Sequence, residues 1–426
     1  MTSILFRNVA VIRADGTVCQ NGFVGVQGTH IVYVDNVPPV KEFDEVIDGT
    51  GKTLTAGLTN AHTHVGMSLM RGYGEDMPLQ NWLFDRIFPF EDKLSGEAVY
   101  WSSLLGITEM IKSGTTAFSD MYFFCEDTAR AVLESGIKAN IGRGISCFDT
   151  SLRFADLAAY NDLLALIPEF HGADDGRLRI DVAPHAEYTT RPDILHDAGE
   201  LAAKHGLRMQ VHVSETRDEH LACVGRHGKT PTAVLKKTGV LSQPLTIAHG
   251  VWLTDSDREL LYENKVTVAH CAKSNLKLGS GVADIPALQK AGIAVAVGTD
   301  SAASNNALNM VDELRTAALL QKGMCQDPTV LPAEAVWSMG TRAGALSQGR
   351  DDCGDVAVGF RADLVLWDTN TLLGSPLSDI LYGGNTQVLL TMADGKVLYR
   401  NGQFTTLDIE KIHREAKRCA QNINGK

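Results

Sequence analysis

The sequence has no surplus of basic residues. Its 39 Lys and Arg are outnumbered by 51 Asp and Glu, for a formal net charge of −12. A chain of that sign offers no electrostatic footing for a phosphate backbone, so nucleic acid is not an expected partner. No apolar stretch approaches the ~18 residues of a membrane-crossing helix, and no membrane partner is expected. The opening MTSILFRNVAVIRADG turns polar too early for a signal peptide, which makes the cytoplasm the expected compartment. The eight cysteines (Cys19, Cys125, Cys147, Cys223, Cys271, Cys325, Cys353, Cys419) are scattered and none forms a C-x-x-C pair. That argues against zinc fingers and against a secreted disulfide framework. Solenoid-period repeats and low-complexity tracts are also missing.

What is present is a 426-residue chain with 44% hydrophobic residues, ordinary for a globular protein and more than one small core holds. Residues 1–56 read as short strands joined by hairpin turns, with turn signals at Asp15-Gly16 and Asn21-Gly22. From Leu58 the pattern changes. Apolar runs (LTNAH, TTAFSDM, KANIGRGIS, LRIDVAPH, LRMQVHVS, LTIAHGV, VTVAHCA, IAVAVGTD) now alternate with amphipathic segments that end at glycine. Continuous apolar strands alternating with helices predict a parallel (β/α)8 TIM barrel over residues 57–358. After Gly359 the strand pattern returns, with a turn at Asp394-Gly395 and a polar terminal helix, DIEKIHREAKRCAQNI. The two flanks, 1–56 and 359–426, are expected to pack together as one small β-sandwich beside the barrel.

Barrel active sites form at the C-terminal ends of the strands. His62 and His64 end the first run, His185 the fourth, His212 the fifth, His249 the sixth and His270 the seventh; Asp300 follows the eighth. In His62-Thr63-His64 the alternation of a strand puts both imidazoles on one face. Such a pair is either buried and hydrogen-bonded or half of a metal site. So many imidazoles and a carboxylate on one rim favour the metal. Catalytic zinc takes about three protein ligands and keeps a place for water. His62, His64 and His212 supply nitrogen and Asp300 supplies oxygen. Asp300 could also take a proton from water. Glu215, three residues after His212, reaches the same pocket only if the strand ends between them.

The segments NAHTHVGMSLMRG, VHVSET, IAHGVW, HCAKSNLKLGSG and GTDSAASNN resemble the amidohydrolase superfamily, and within it the 5-methylthioadenosine/S-adenosylhomocysteine deaminases, over nearly the whole chain. The resemblance implies one divalent metal, most often Zn2+, on His62, His64, His212 and Asp300. It has no strand-four lysine to bridge a second ion. It implies a small-molecule purine nucleoside as partner and, in many members, a homo-oligomer. Glu215 would protonate the ring and His249 would orient the attacking oxygen. Glu91 matches the glutamate that holds the ribose hydroxyls, although by itself it reads as a helix-surface residue. His185 matches a residue near the ribose and thioether, and Ser304 one near the purine. Trp82 is a candidate wall for the 5'-substituent or a core residue. Arg143 matches an arginine that could bind a homocysteine carboxylate, with Arg153 as its candidate second, although the segment around Arg153 does not align cleanly. The implied reaction is hydrolytic deamination at C6 of 5'-substituted adenosines. Competing readings are a deaminase or dechlorinase of a free base (guanine, 8-oxoguanine, cytosine, triazine) and an inactive barrel used as a scaffold. The His185-Ala186-Glu187 run resembles the H-x-E of cytidine-type zinc deaminases, but the P-C-x-x-C they require is missing.

Overall fold

The computed structural model describes residues 3–369, 374–384 and 386–424. Eight parallel strands form the barrel: β1 Leu58–Thr63, β2 Thr115–Tyr122, β3 Lys138–Ile145, β4 Leu178–Pro184, β5 Met209–Val213, β6 Leu245–His249, β7 Thr267–His270 and β8 Ala294–Val297. Each corresponds to one of the apolar runs in the sequence. All residues of β1, β2, β5, β6 and β7 are buried, because helices cover the outside and side chains fill the inside. The helix Pro192–His205 stops at Gly206, which takes the left-handed conformation (φ 64°) that a glycine adopts without strain.

The barrel closes where β8 meets β1. The Asp300 amide donates to the His62 carbonyl at 2.9 Å, and the Thr299 amide donates to the Asn60 side chain at 2.9 Å. Gly298 allows the approach, since a Cβ there would lie 2.7 Å from the His62 nitrogen. Barrel closure and site assembly are thus the same event, because it brings His62 and Asp300 together.

The flanking segments form one mixed sheet of nine strands. Its centre is the strand Lys52–Ala56, which runs parallel to Ser3–Ile12 and antiparallel to Leu364–Asp368. Both chain ends therefore share one apolar core, with Phe6, Val9, Leu54, Leu364 and Met392 buried in it. The expected barrel beside a β-sandwich built from both ends is the architecture found. Buried Lys138, at the start of β3, ties the barrel to this unit through Asp363 (2.5 Å) and Asp394 (2.8 Å). The terminal helix Ile409–Asn424 packs on the helix Gly96–Lys112.

One turn signal is corrected. Asn21-Gly22 lies inside the continuous strand Val18–Gln27, not between two strands. Asn21 has φ 55°, and the pairing register with Ser3–Ile12 shifts around Val9. A left-handed Asn beside Gly suits a β-bulge as well as a hairpin turn. Asp394-Gly395, by contrast, is a tight turn between Gln387–Ala393 and Lys396–Arg400.

Candidate metal and substrate site

His62 is the penultimate residue of β1, and His64 lies one residue past the strand. Their rings meet edge to face, 4.9 Å between centroids, and His212 from the end of β5 sits 4.9 Å from His62. Asp300, after β8, aims Oδ1 at both: 3.6 Å from His62 Nε2 and 3.2 Å from His64 Nε2. His212 Nε2 lies 3.3 Å from His64 Nε2. His62, His64 and Asp300 form one convergent set of donor atoms, and His62, His212 and His249 form another.

The remaining atoms of these side chains are already engaged. His64 Nδ1 donates to the Met121 carbonyl (2.5 Å) and His212 Nδ1 to the His185 carbonyl (2.7 Å), which fixes each ring and leaves Nε2 as a lone-pair donor. Asp300 Oδ2 accepts from Ser274 (2.5 Å) and Ser304 (2.9 Å), leaving Oδ1 for the cluster. His62 Nε2 is buried with no hydrogen-bond partner among the described residues. An orphaned nitrogen costs free energy in a dry interior. Three imidazole nitrogens and one carboxylate oxygen at such separations fit a divalent cation such as zinc.

Burial pushes the pKa values of His62 and His212 well below the ordinary imidazole range. Burial opposes charge on His64 too, but the hydrogen bond and charge of Asp300 outweigh it and raise its pKa to about 9. Burial would raise Asp300, yet His64 and the neighbouring imidazoles hold it well below the carboxylate range.

Glu215 enters the same cavity because the chain reverses after β5. Ser214 takes a left-handed conformation, φ 50°, and redirects the next side chain inward. The strand therefore ends where the inward placement of Glu215 requires. Its Oε1 accepts from Ser280 at 3.1 Å, and Oε2 lies 3.7 Å from His249 Nε2. Burial raises its pKa, favouring the protonated acid. His249, also left-handed at φ 70°, donates Nδ1–H to Asn275 Oδ1 at 2.8 Å.

His64, His212, Glu215, His249 and Asp300 open into one cavity. Glu91, Trp82 and His185 line it. Burial raises the pKa of Glu91 to about 7, against the pull of the Tyr122 hydroxyl beside it. Leu79, Leu83, Ile87 and Phe88 extend an apolar wall from Trp82, part of a cluster separate from the barrel core.

Four of the residues read from the sequence do not line the cavity. Arg143 does not line the cavity: its Nε donates to Asp162 at 2.8 Å and its guanidinium lies 5.2 Å from the centre of the Phe123 ring. Arg153 is exposed and pairs with Asp156 at 3.0 Å, holding a local turn. Ser304 does not line the cavity either; its hydroxyl supports Asp300 from behind. His270 is fully buried and does not line the cavity, so the seventh strand contributes no imidazole to it. Sequence reasoning also missed Ser274, Asn275 and Ser280, which sit in the segment HCAKSNLKLGSG and hold Asp300, His249 and Glu215. Tyr122 and Tyr188 line the cavity and carried no individual signal.

A family model described as the amidohydrolase family matches residues 53–398. A 5-methylthioadenosine/S-adenosylhomocysteine deaminase of Moorella thermoacetica is 40% identical over 423 residues, 97% of this chain and 98% of that protein. A 5'-deoxyadenosine deaminase of Methanothermobacter thermautotrophicus is 40% identical, with 99% of each chain covered. Among solved structures, an adenosine deaminase from Xanthomonas campestris with bound zinc superposes with a TM-score of 0.93 at 30% identity, covering 100% of this chain and 99% of that one.

Proposed function

The chain belongs to the amidohydrolase family, and from that premise we propose that it hydrolytically deaminates 5'-substituted adenosines at C6, giving the inosine derivative and ammonia. The observation that carries this reading is that one cavity is lined both by His64, His212 and Asp300, whose donor atoms converge with that of His62, and by Glu91 and an apolar wall at Trp82. The first half suits attack by water on a ring carbon. The second suits a nucleoside, whose ribose diol gives a carboxylate two hydroxyl donors and whose 5'-group needs an apolar berth.

His62, His64, His212 and Asp300 would hold a divalent metal, with zinc the favoured ion given the zinc-bound structural relative. When bound, such a metal supplies Lewis acidity that lowers the pKa of a water towards ~7. The chain's own groups do the rest. Asp300 Oδ1 accepts a proton from the attacking water while Oδ2 stays fixed by Ser274 and Ser304. His249, with Nδ1–H committed to Asn275, turns Nε2 toward the attacking oxygen and orients it. Glu215 gives its proton to ring N1, so that attack at C6 builds no net charge on the purine. The proton held by Asp300 then passes to the exocyclic amine, the C6–N bond breaks, and ammonia leaves. The hydroxyl proton on C6 returns to Glu215, which leaves the inosine carbonyl, Glu215 again protonated and Asp300 again a carboxylate.

The test is to run the zinc-loaded protein on methylthioadenosine in 18O-labelled water. One labelled oxygen in the purine and one ammonia per turnover support the reaction; cleavage of the glycosidic bond, or no product, rejects it.

A further inference from the structure

Resting on the reading of Glu215 as the proton donor, we propose that Glu219 is the positioning residue that sets the Glu215 side chain, acting through the backbone rather than on substrate. Its carboxylate is 5% exposed and accepts three consecutive amides: Ser214 at 2.9 Å, Glu215 at 2.8 Å and Thr216 at 3.3 Å.

Part of this is an ordinary capping box. Thr216 caps the helix Arg217–His227 by accepting from the Glu219 amide at 3.2 Å, and Glu219 reaches back to the Thr216 amide. A capping box ends there. In the one at Thr254–Asp257 the Asp257 carboxylate accepts one backbone amide, that of the N-cap Thr254 at 2.9 Å, its other partners being the hydroxyls of Thr254 and Thr230. In Glu219 the N-cap contact is the longest of the three. The two shorter ones go upstream, to the residue with left-handed backbone and to Glu215 itself.

That is the stretch needing support. Ser214 at φ 50° is costly for a non-glycine residue and persists only where its surroundings impose it. The turn is held from the other side as well: the Ser214 carbonyl accepts from Val251 and Trp252, and its hydroxyl bonds His220 Nδ1 at 3.0 Å. Those contacts fix Ser214 and leave the Glu215 amide to Glu219. A carboxylate is the right group, because it offers only acceptors to three donors. A glutamine would turn an NH2 group toward at least one of those amides.

The test compares Glu219→Gln, Glu219→Asp and, as a remote capping-box control, Asp257→Asn in the zinc-loaded protein, with methylthioadenosine as substrate. Misplacing an acid by about 1 Å costs up to ~10²-fold, so kcat in Glu219→Gln is expected to fall by roughly ten- to a hundredfold. KM stays within about threefold and metal content is unchanged, since no ligand is touched. Adding Glu219→Gln to Glu215→Gln should cost little more, because both act through one proton. Asp257→Asn should lower Tm without this fall in kcat. A crystal structure of Glu219→Asp, which retains charge but loses one methylene of reach, should show Glu215 displaced from Ser280. A kcat within about twofold of wild type, a loss that multiplies with that of Glu215→Gln, or Glu215 still on Ser280 would overturn the proposal. If the wild-type protein deaminates no adenosine, the proposed reaction falls; the crystal structure still tests the hold of Glu219 on Glu215.

Discussion

His64 Nε2 stands 3.2 Å from Asp300 Oδ1, and each of these side chains is anchored from behind, His64 by the Met121 carbonyl and Asp300 by two serine hydroxyls. The two facing atoms are thereby aimed at one point from opposite sides of the barrel seam. Without a cation they share a proton, which is why the pKa of His64 is raised to about 9.

Metal loading must therefore expel that proton. Titrating zinc into metal-free protein at pH 8 in a weak buffer should release at least one proton per ion from the site, because a coordinating imidazole must be neutral. His212→Ala should lose the ion, by elemental analysis, along with activity. Full zinc occupancy in that variant would contradict the ligand set.

Glu215→Gln should retain the metal and most of the substrate affinity. Its kcat should drop by ~10² or more, the usual value of a positioned proton donor. Turnover near the wild-type level would remove Glu215 from its assigned step.

Glu91 gives a pH dependence of defined sign. Its pKa is about 7 in the metal-free chain, and a bound cation would draw it lower. Only the carboxylate accepts both ribose hydroxyls, so kcat/KM for nucleosides in the metal-loaded protein should fall on the acid side, at a pH below about 7, and Glu91→Gln should abolish that limb. Stability runs the other way. A carboxyl with a raised folded-state pKa costs nothing below its ordinary value of 4.5, where it is protonated in both states. The cost grows as pH rises to about 7 and is constant above. Metal-free Glu91→Gln should therefore melt higher than wild type at pH 8 and the same at pH 4. An equal Tm at both would show that Glu91 is not strained by burial.

Trp82 is 5% exposed and faces the cavity. Trp82→Ala should cost about tenfold or more in kcat/KM for methylthioadenosine and much less for adenosine, whose 5'-hydroxyl uses the apolar wall poorly. Equal losses on both would make Trp82 a core residue rather than a wall.

The barrel was legible in the sequence because parallel strands covered on both faces must be apolar throughout, and LTIAH or VTVAH can hardly be anything else. The rim histidines were legible because chain order places strand ends, and the ends carry the site. Side-chain direction was less accessible. Arg143 sits on β3, but its fate was set by Asp162, 19 residues away on another element. Ser304 is near the reaction centre yet bonded to Asp300 from behind, a distinction that spacing cannot make. The wall from Leu79 to Phe88 has no helical period to read, because it is built of a short α-turn and a π-helical turn, Leu83–Ile87. Glu219 was hidden as an ordinary helix-start acid.

The most direct measurement is ammonia release by the zinc-loaded protein from methylthioadenosine, S-adenosylhomocysteine, 5'-deoxyadenosine, adenosine, adenine and guanine. The account predicts that kcat/KM for 5'-substituted adenosines exceeds that for the free bases by ~100-fold or more, about 2.7 kcal/mol of transition-state discrimination. Turnover of the free bases alone, or of nothing in the panel, would contradict it.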